Sequence, residues 1–390
     1  MDLSIFFEAL PPTGYQPAKT RQRLLGEVIR TNIKGGRFPD LSDTDIAILG
    51  VKEDRNHFQN EGCSEGPDPV REELYKLCLG SWKPNIVDLG NVLRGHSIND
   101  TYFALASSIE ELIRQNITPV IIGGSQDLTF AQYQAYEKLG QIINIAAVDA
   151  EFDLGRSKKI FNARSYLSQI ILRQPNYLFN YTNIGYQTYF VDQEAIALME
   201  NLLFDAYRLG FVRAGLEEVE PMVRHADMLS LDITAIRMSD APGNANAIPH
   251  GFYGEETCQI MRYAGMSDKM SSVGIYEYNP AFDRNRQTAQ LISQLIWYFI
   301  DGYYNRKEEF PLNKKKDVVK FRVATKDFKN ELIFYKSKKS DRWWMEVPIR
   351  TKNKSKYERQ HIVPCSHKDY QTALENNIPD RWWQTYQKLM

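Results

Sequence analysis

Short, almost wholly apolar runs recur along the first 305 residues, and they narrow the possible folds more than any other feature. Seven of them are predicted strands: 45–51, 86–90, 118–123, 142–149, 182–186, 228–233 and 272–276. Amphipathic stretches with helical spacing lie between them, such as 101–115 and 286–304. Strands that are apolar on both faces and alternate with helices are typical of a covered parallel sheet. The sequence therefore predicts a three-layer α/β/α fold with a mainly parallel central sheet.

Charge divides the chain into two parts. Residues 306–390 carry 21 Lys and Arg against 11 Asp and Glu, a net charge of +10. Residues 1–305 hold the remaining 27 basic and 38 acidic residues, a net charge of −11. Such a contrast indicates two units with different surfaces. We therefore predict a main domain at 1–305 and a basic C-terminal extension at 306–390.

The extension shows a partial two-residue alternation of apolar side chains, which predicts a small antiparallel meander followed by terminal helices. The predicted strands are 317–325, 331–336 and 342–349, and the predicted helices lie near 368–376 and 380–389. Its tryptophan pairs could anchor a partner, but we expect them to fill the small core of the extension or to dock it onto the main domain. These residues are Trp343, Trp344, Trp382 and Trp383.

Lysine runs at 314–316, 336–339 and 352–356 give the extension its charge. They could contact an acidic protein surface or nucleic acid. The alternative is that they are solvated charges of turns, where lysine protects edge strands from pairing with other chains. We expect the second case, since no recognised nucleic-acid-binding module accompanies the charge.

Other features exclude several classes of protein. No apolar run reaches the roughly 18 residues of a membrane span, and the N-terminus lacks the basic and apolar segments of a secretory signal. The four cysteines, Cys63, Cys78, Cys258 and Cys365, form no Cys-x-x-Cys pair, which argues against a disulfide framework and a structural zinc site. We therefore expect a cytoplasmic protein.

Polar groups follow three of the predicted strands at their carboxyl ends. Gly-Gly-Ser-Gln-Asp begins at 123, Asp-Ala-Glu-Phe-Asp at 149 and Asp-Ile-Thr at 232. In open α/β sheets, ligands bind in the crevice beyond the carboxyl ends of the strands. These segments are therefore the candidate site.

Six motifs, taken in order, resemble those of the ureohydrolase superfamily of arginase, agmatinase and formimidoylglutamase. They are GCSEGPDPVR at 62–71, IGGSQD at 122–127, DAEFD at 149–153, SLDITAIRMSDAPG at 230–243, GFYGEE at 251–256 and VGIYEYNPAFD at 273–283. The resemblance covers about residues 45–300 and implies an arginase-like fold and a homo-oligomer. It also implies hydrolysis of a linear amidine by a hydroxide held between two manganese ions.

In that family two histidines and four aspartates hold the metal pair. Three of those aspartates match Asp149, Asp153 and Asp232. The other three positions carry residues of a different kind, namely Gln126, Glu151 and Thr234. None of the six histidines of the chain falls on a ligand position. A two-manganese cluster is therefore not expected, and two alternatives stay open: one Mn, Mg or Ca ion on oxygen ligands, or no metal.

Three further positions belong to the pocket only by resemblance. Arg164 matches a proton-shuttling histidine of arginase, Arg237 replaces part of an Asp-Pro pair, and Glu256 matches the glutamate that holds the substrate guanidinium. Crowded carboxylates cannot all stay ionised without a cation. We therefore predict that Arg164 and Arg237 neutralise the cluster in place of a metal, and we assign no catalytic residue.

Two functional hypotheses follow. The first is a catalytically degenerate ureohydrolase that serves as a binding or scaffold protein, with a protein or nucleic-acid partner for the extension. The second is a divergent metal-dependent C–N hydrolase of the formimidoylglutamase, agmatinase or arginase type, working with one ion or an unusual pair. Restoring His, His and Asp at positions 126, 151 and 234 separates the two.

Overall fold

The computed structural model describes residues 1–12, 23–155, 161–311, 315–325, 331–349 and 354–390, which form two separate sheets. The large sheet has ten strands: β1 (Phe7–Glu8), β2 (Arg30–Thr31), β3 (Ile46–Val51), β4 (Ile86–Val92), β5 (Thr118–Ile122), β6 (Ile143–Val148), β7 (Leu178–Tyr186), β8 (Asp205–Arg208), β9 (Met228–Asp232) and β10 (Ser272–Tyr276). Their order is β1-β4-β3-β5-β10-β9-β6-β7-β8, with β2 also beside β4. β1 runs antiparallel to β4, whereas the other pairs run parallel. The predicted mainly parallel sheet is confirmed.

Helices cover both faces of this sheet. They are α1 (Pro67–Leu74), α2 (Ile98–Arg114), α3 (Leu128–Leu139), α4 (Tyr166–Leu172), α5 (Gln193–Asn201), α6 (Leu209–Ala214), α7 (Val219–Arg224), α8 (Gly254–Gly265) and α9 (Gln287–Tyr304). In β3, Ile46 and Ile48 belong to one hydrophobic core, and Ala47 and Leu49 belong to another. Because side chains alternate between faces, a strand covered on both sides is apolar at every position. The three-layer α/β/α prediction is confirmed.

The seven apolar runs match β3 to β7, β9 and β10, but they do not predict β1, β2 or β8. β1 and β2 have two residues each, too few for a periodic pattern. β8 reads Asp-Ala-Tyr-Arg and is partly exposed at the edge of the sheet. An edge strand needs no continuous apolar run, so periodicity does not reveal it.

The extension forms a separate antiparallel sheet, as predicted. Its strands, in spatial order, are β11 (Val318–Val323), β12 (Leu332–Ser337), β13 (Trp343–Glu346) and β14 (Ile362–Cys365), and its helices are α10 (Lys354–Tyr357), α11 (His367–Leu374) and α12 (Asp380–Leu389). The alternation pattern does not predict β14, a short strand that contains Pro364. Proline is tolerated there because β14 lies at an edge. The boundary between residues 305 and 306 stays a prediction.

The tryptophans of the extension are mostly packed inside it. Trp343 and Trp382 belong to its hydrophobic core, and Trp344 is buried against the guanidinium of Arg224, 4.4 Å from its ring centroid. Trp383 is 43% exposed. The expectation of packing is therefore confirmed for three of the four.

The lysine runs are only partly described. Lys336 lies 2.8 Å from Asp341 and Lys339 lies 2.9 Å from Asp317, both pairs being solvent-accessible. Lys314 and Lys352 lie outside the described residues. Among the helices of the described ranges, none combines the length and the apolar character that a membrane crossing needs.

The extension contacts the amino-terminal ends of the central strands. Asp227, which precedes β9, is fully buried, and Arg359 of the extension lies 2.8 Å from its carboxylate. Asn144, at the start of β6, donates a 2.9 Å hydrogen bond to Gln360. The extension is thus attached at the end of the sheet opposite to the polar segments that follow β5, β6 and β9.

Candidate functional site

Three buried aspartates meet at the carboxyl ends of β6 and β9. Asp149 follows β6, Asp153 lies in the loop beyond it, and Asp232 is the last residue of β9. Each offers a carboxylate oxygen within 4.8 Å of the others. β6 and β9 are parallel neighbours, so their carboxyl ends lie side by side. The sheet therefore brings together the three retained ligand positions.

Local turns fix two of these carboxylates. Oδ1 of Asp149 accepts a 2.8 Å hydrogen bond from the backbone N–H of Glu151. Oδ1 of Asp232 accepts a 2.6 Å bond from the backbone N–H of Thr234. Such Asx turns orient one oxygen toward the backbone and leave the other available.

Several buried oxygens at this site accept no hydrogen bond from the residues that the structure describes. They are Oδ2 of Asp149, Oδ2 of Asp153 and Oε1 of Gln126. The amide of Gln126 is oriented by its Nε2, which donates a 2.9 Å bond to the hydroxyl of Ser230. Buried polar atoms without partners are rare in proteins, and a bound ion is one of the ordinary reasons for them.

The electrostatics of the cluster are those of crowded acids. Burial, followed by repulsion from neighbouring carboxylates, raises the pKa of Asp149 and of Asp153 well above its usual value. Burial raises the pKa of Asp232 to about 6, although hydrogen bonds from Thr234 oppose the shift. The site therefore needs either protons or a cation near neutral pH.

Glu277 is a fourth buried carboxyl group of the site, and it is not among the site residues predicted from the sequence. It follows β10, and its two oxygens accept hydrogen bonds from the backbone N–H of Gln126, at 2.8 Å, and from Nδ2 of Asn60, at 2.7 Å. Burial, and then the charge of Asp232, raise the pKa of Glu277 to about 8. Glu277 lies directly after a predicted strand and within the motif at 273–283, and this position is the signal that could have identified it as a site residue.

Arg164 pairs with Glu151, whose position matches a metal-ligand position by resemblance. Its Nη2 lies 3.1 Å from Oε1 of Glu151, and its guanidinium lies 4.3 Å from the ring centroid of Phe58. The charge of Arg164 also lowers the pKa of Asp232, against the larger effect of burial. The structure thus brings Arg164 to the cluster, as the sequence analysis predicts.

Arg237 and Glu256 lie elsewhere. Arg237 is 2.8 Å from Asp240 and stacks over Tyr253, so the prediction that it neutralises the cluster is not supported. Glu256 accepts a 2.8 Å bond from the backbone N–H of Tyr253 at the start of α8 and lies 3.0 Å from Arg213. Neither residue lines the cavity at the aspartates. Glu256 is engaged as a helix-capping residue rather than in the pocket.

The cavity at the aspartates is narrow. Its volume is about 20 Å³, and Gln126, Glu151, Thr234 and Glu277 are among its lining residues. That volume suits one ion or one water molecule. A wider pocket of about 620 Å³ lies outside it, and Phe58, Glu151, Asp153 and Arg164 line both. Arg164 and Glu151 therefore stand between the inner cavity and the outer pocket.

The donor set fits one cation better than two. Asp149, Asp153, Asp232 and the oxygen of Gln126 supply the all-oxygen ligation that Mg²⁺, Ca²⁺ and Mn²⁺ accept. At the second position Glu151 is paired with Arg164 and Thr234 is neutral. The residues present therefore do not fit a two-metal cluster.

Comparison with known proteins agrees with the fold and with the sequence motifs. The model of the Arginase family matches residues 44–301. Formimidoylglutamase of Staphylococcus aureus (strain JH9) is 27% identical over 281 residues, which cover 67% of this chain and 90% of that protein. The extension lies beyond the residues matched by the family model.

Solved structures share the fold at low sequence identity. A Trypanosoma cruzi formiminoglutamase crystallised with Mn²⁺ has a TM-score of 0.63 and 16% identity, over 69% of this chain and 96% of that one. Formimidoylglutamase of Bacillus subtilis has a TM-score of 0.68 and 16% identity, over 76% of this chain and 97% of that one.

Proposed function

This chain belongs to the arginase family. Because residues at its ligand positions differ from those of the family, we propose that it is a ureohydrolase-fold binding or scaffold protein that has lost two-metal hydrolysis. The fold and three aspartates of the family are kept. The residues that would hold a second ion are replaced. The loss therefore concerns the reaction rather than the scaffold.

The ion pair between Arg164 and Glu151 is the observation that carries this proposal. A guanidinium supplies positive charge at the mouth of the site, but it cannot act as a Lewis acid that lowers the pKa of a bound water, as a metal ion does. The ion pair also engages the carboxylate of Glu151, a residue that matches a ligand position of the second ion. Arg164 therefore offsets part of the negative charge of the site without supplying the nucleophile that the family requires.

One cation still fits the remaining oxygens. The unpartnered oxygens of Asp149, Asp153 and Gln126 favour a single bound ion over none, the two alternatives that the sequence leaves open. When bound, such an ion would supply electrostatic cross-linking of the loops that follow β5, β6 and β9. Asp232 would complete the set, because it offers a carboxylate oxygen within 4.8 Å of those of Asp149 and Asp153.

The metal content of the purified protein tests this proposal. We would purify the chain from manganese-supplemented cells and measure metal per chain by elemental mass spectrometry. One ion or less is expected, together with no turnover of a panel of guanidino and formimino compounds. Two ions per chain, or turnover above background, would overturn the proposal.

Restoration of the family ligands provides the complementary experiment. The variant Gln126→His, Glu151→His, Thr234→Asp is expected to bind more Mn²⁺ than the unmodified protein. A matched control carries Arg237→Met, because Arg237 lies away from the cluster and pairs with Asp240. If the restored variant gains neither metal nor turnover, the substituted ligands are not what abolished the activity.

A divergent hydrolase of the formimidoylglutamase type is the second candidate. The retained Asp149, Asp153 and Asp232 and the 27% identity to a formimidoylglutamase support it. Hydrolysis of N-formimidoylglutamate by the unmodified chain, lost in Asp149→Asn, would establish it.

The basic extension is the proposed contact surface for a partner, and a homo-oligomer is proposed from the family resemblance. Co-purification followed by mass spectrometry tests the first, with nucleic acid as a separate binding assay. Light scattering of the purified chain tests the second.

A further inference from the structure

Two arginines at the junction between the main domain and the extension are buried and incompletely paired. Arg224 ends α7 with a side chain that is 5% exposed, and Arg342 precedes β13 with a side chain that is 9% exposed. Their Nε atoms lie 2.8 Å and 3.0 Å from the same oxygen of Glu220. One carboxylate oxygen thus joins two guanidinium groups, one from each part of the chain.

Each guanidinium keeps one terminal nitrogen without an acceptor among the described residues. Nη2 of Arg224 donates to the carbonyl oxygens of Trp343 and Cys365, but Nη1 has no partner. Nη1 of Arg342 donates to the carbonyl oxygen of Met266 and to Glu309, but Nη2 has no partner. Because arginine stays charged at all physiological pH values, both are desolvated charged donors that require an acceptor.

The two residues line one small, partly open cavity of about 30 Å³. His225 and Lys269 line it too, and Nδ1 of His225 is also buried without a hydrogen-bond partner in the described part of the chain. A volume of this size holds one or two water-sized particles. It excludes nucleotides, sugar phosphates and dicarboxylates, and it suits a halide.

The acidic groups around the cavity are already engaged. Glu309 accepts hydrogen bonds from the hydroxyls of Ser337 and Ser340 as well as from Arg342. Asp268 accepts from the backbone N–H groups of Glu308 and Glu309. Among the described residues, these carboxylates accept no hydrogen bond from Nη1 of Arg224 or from Nη2 of Arg342.

The charges that act on His225 are positive. Burial, and then Lys269, Lys388, Arg381 and Arg224, hold the pKa of His225 well below its usual value. The ring is therefore neutral near pH 7 and can donate to an anion. These cations favour a negative charge over a neutral water molecule beside His225.

We propose that this cavity binds one halide-sized anion, such as chloride, between Arg224 and Arg342, and that the anion fastens the extension to the main domain. The site lies at the amino-terminal end of the sheet and does not depend on the proposed function. Its ligand would satisfy one nitrogen from each part of the chain.

Thermal unfolding of the full chain tests the proposal in sodium chloride and in sodium gluconate at equal ionic strength, because gluconate is too large for the cavity. We expect Tm to rise saturably with chloride, by about 2 °C when the chloride concentration is about ten times Kd. Equal Tm values in the two salts would mean that ordered water alone fills the cavity, which would overturn the proposal.

Two variants locate the effect. Arg342→Met should abolish the difference between chloride and gluconate. Arg322→Met is the matched control, because it removes the same charge from the same sheet at a side chain that is 65% exposed and 3.3 Å from Glu331. A chloride effect that persists in Arg342→Met would overturn the assignment to this cavity.

Diffraction keeps the test decisive if Arg342→Met does not fold. Crystals of the unmodified protein soaked in sodium bromide should show an anomalous peak between the guanidiniums of Arg224 and Arg342. The absence of a peak there would overturn the proposal.

Discussion

Nη2 of Arg164 lies 3.1 Å from Oε1 of Glu151, at the boundary between a cavity of about 20 Å³ and a pocket of about 620 Å³. The guanidinium of Arg164 is thus a covalently attached cation at a place where the family resemblance predicts ligands for a metal ion. A protein cation cannot be exchanged, removed by a chelator or used to activate water. Changes at these two residues should therefore act first on metal affinity.

Removal of the Arg164 charge should strengthen cation binding. In Arg164→Met, the ion pair between Arg164 and Glu151 is removed and the site becomes more negative, so we expect Mn²⁺ affinity to rise about tenfold, as an energy change of about 1.4 kcal/mol implies. Isothermal titration calorimetry measures it. Arg237→Met is the control, because its side chain is similarly exposed but pairs with Asp240. An equal affinity in both variants would contradict the role given to Arg164.

The stability of the metal-free protein should fall as pH rises from 5 to 8.5. Burial raises the folded-state pKa of Asp232 to about 6 and of Glu277 to about 8, so the folded state binds protons more tightly than the unfolded state. This contribution is complete below the unfolded pKa values of about 4 and is lost as pH passes the folded values. Urea unfolding in EDTA measures it.

A divalent cation should reverse that trend, because it binds the ionised carboxylates. Mg²⁺ or Mn²⁺ should therefore stabilise the protein more at pH 8 than at pH 5.5. Identical midpoints of urea unfolding with and without metal at pH 8 would argue that the site binds no ion.

Asp149→Asn should have opposite effects on the stability of the metal-free protein and on the binding of a metal ion. The amide removes one of the crowded charges, so we expect the metal-free protein at pH 8 to gain about 1–2 kcal/mol of unfolding free energy. The same change should abolish stabilisation by added metal. Melting curves with and without Mn²⁺ measure both effects, and a destabilised variant that still responds to metal would contradict this account.

Trp382 and Trp383 form a natural pair for testing the core of the extension. Trp382 is 1% exposed and donates through Nε1 to the backbone carbonyl of Glu346 at 2.9 Å, whereas Trp383 is 43% exposed. Trp382→Ala should cost about 3–5 kcal/mol of unfolding free energy, and Trp383→Ala should cost clearly less. Urea unfolding followed by circular dichroism measures both, and similar losses would contradict the packing described.

The sequence predicts the parts of this fold that have strong periodicity. β3 and β6 are buried at every position because helices cover both sides, and apart from Gly50 and Asn144 they are apolar, a pattern that is visible in the sequence. β8 is a short, partly exposed edge strand with no such pattern, and β14 is an edge strand whose apolar run is only four residues long and includes Pro364. Their existence depends on neighbours distant in the chain, which local propensity does not encode.

The candidate site was only partly predictable for a similar reason. Asp149, Asp153 and Asp232 follow strands, and parallel pairing brings such residues together. Arg237 is five residues from Asp232 along the chain, yet its side chain turns away to Asp240. The spacing of residues along the chain predicts which backbone segments lie close together. The direction of a long side chain depends on the partners that surround it in the fold.

The attachment of the extension through Asp227 and Asn144 leaves the opposite rim of the sheet untouched. We therefore expect substitutions at one rim of the sheet to have little effect at the other. Loops grafted from an active relative could replace those after β5, β6 and β9 without disturbing where the extension sits. Conversely, if the extension were fused to the same rim of an active family member, we expect the entrance to the active site of that protein to stay accessible to substrate.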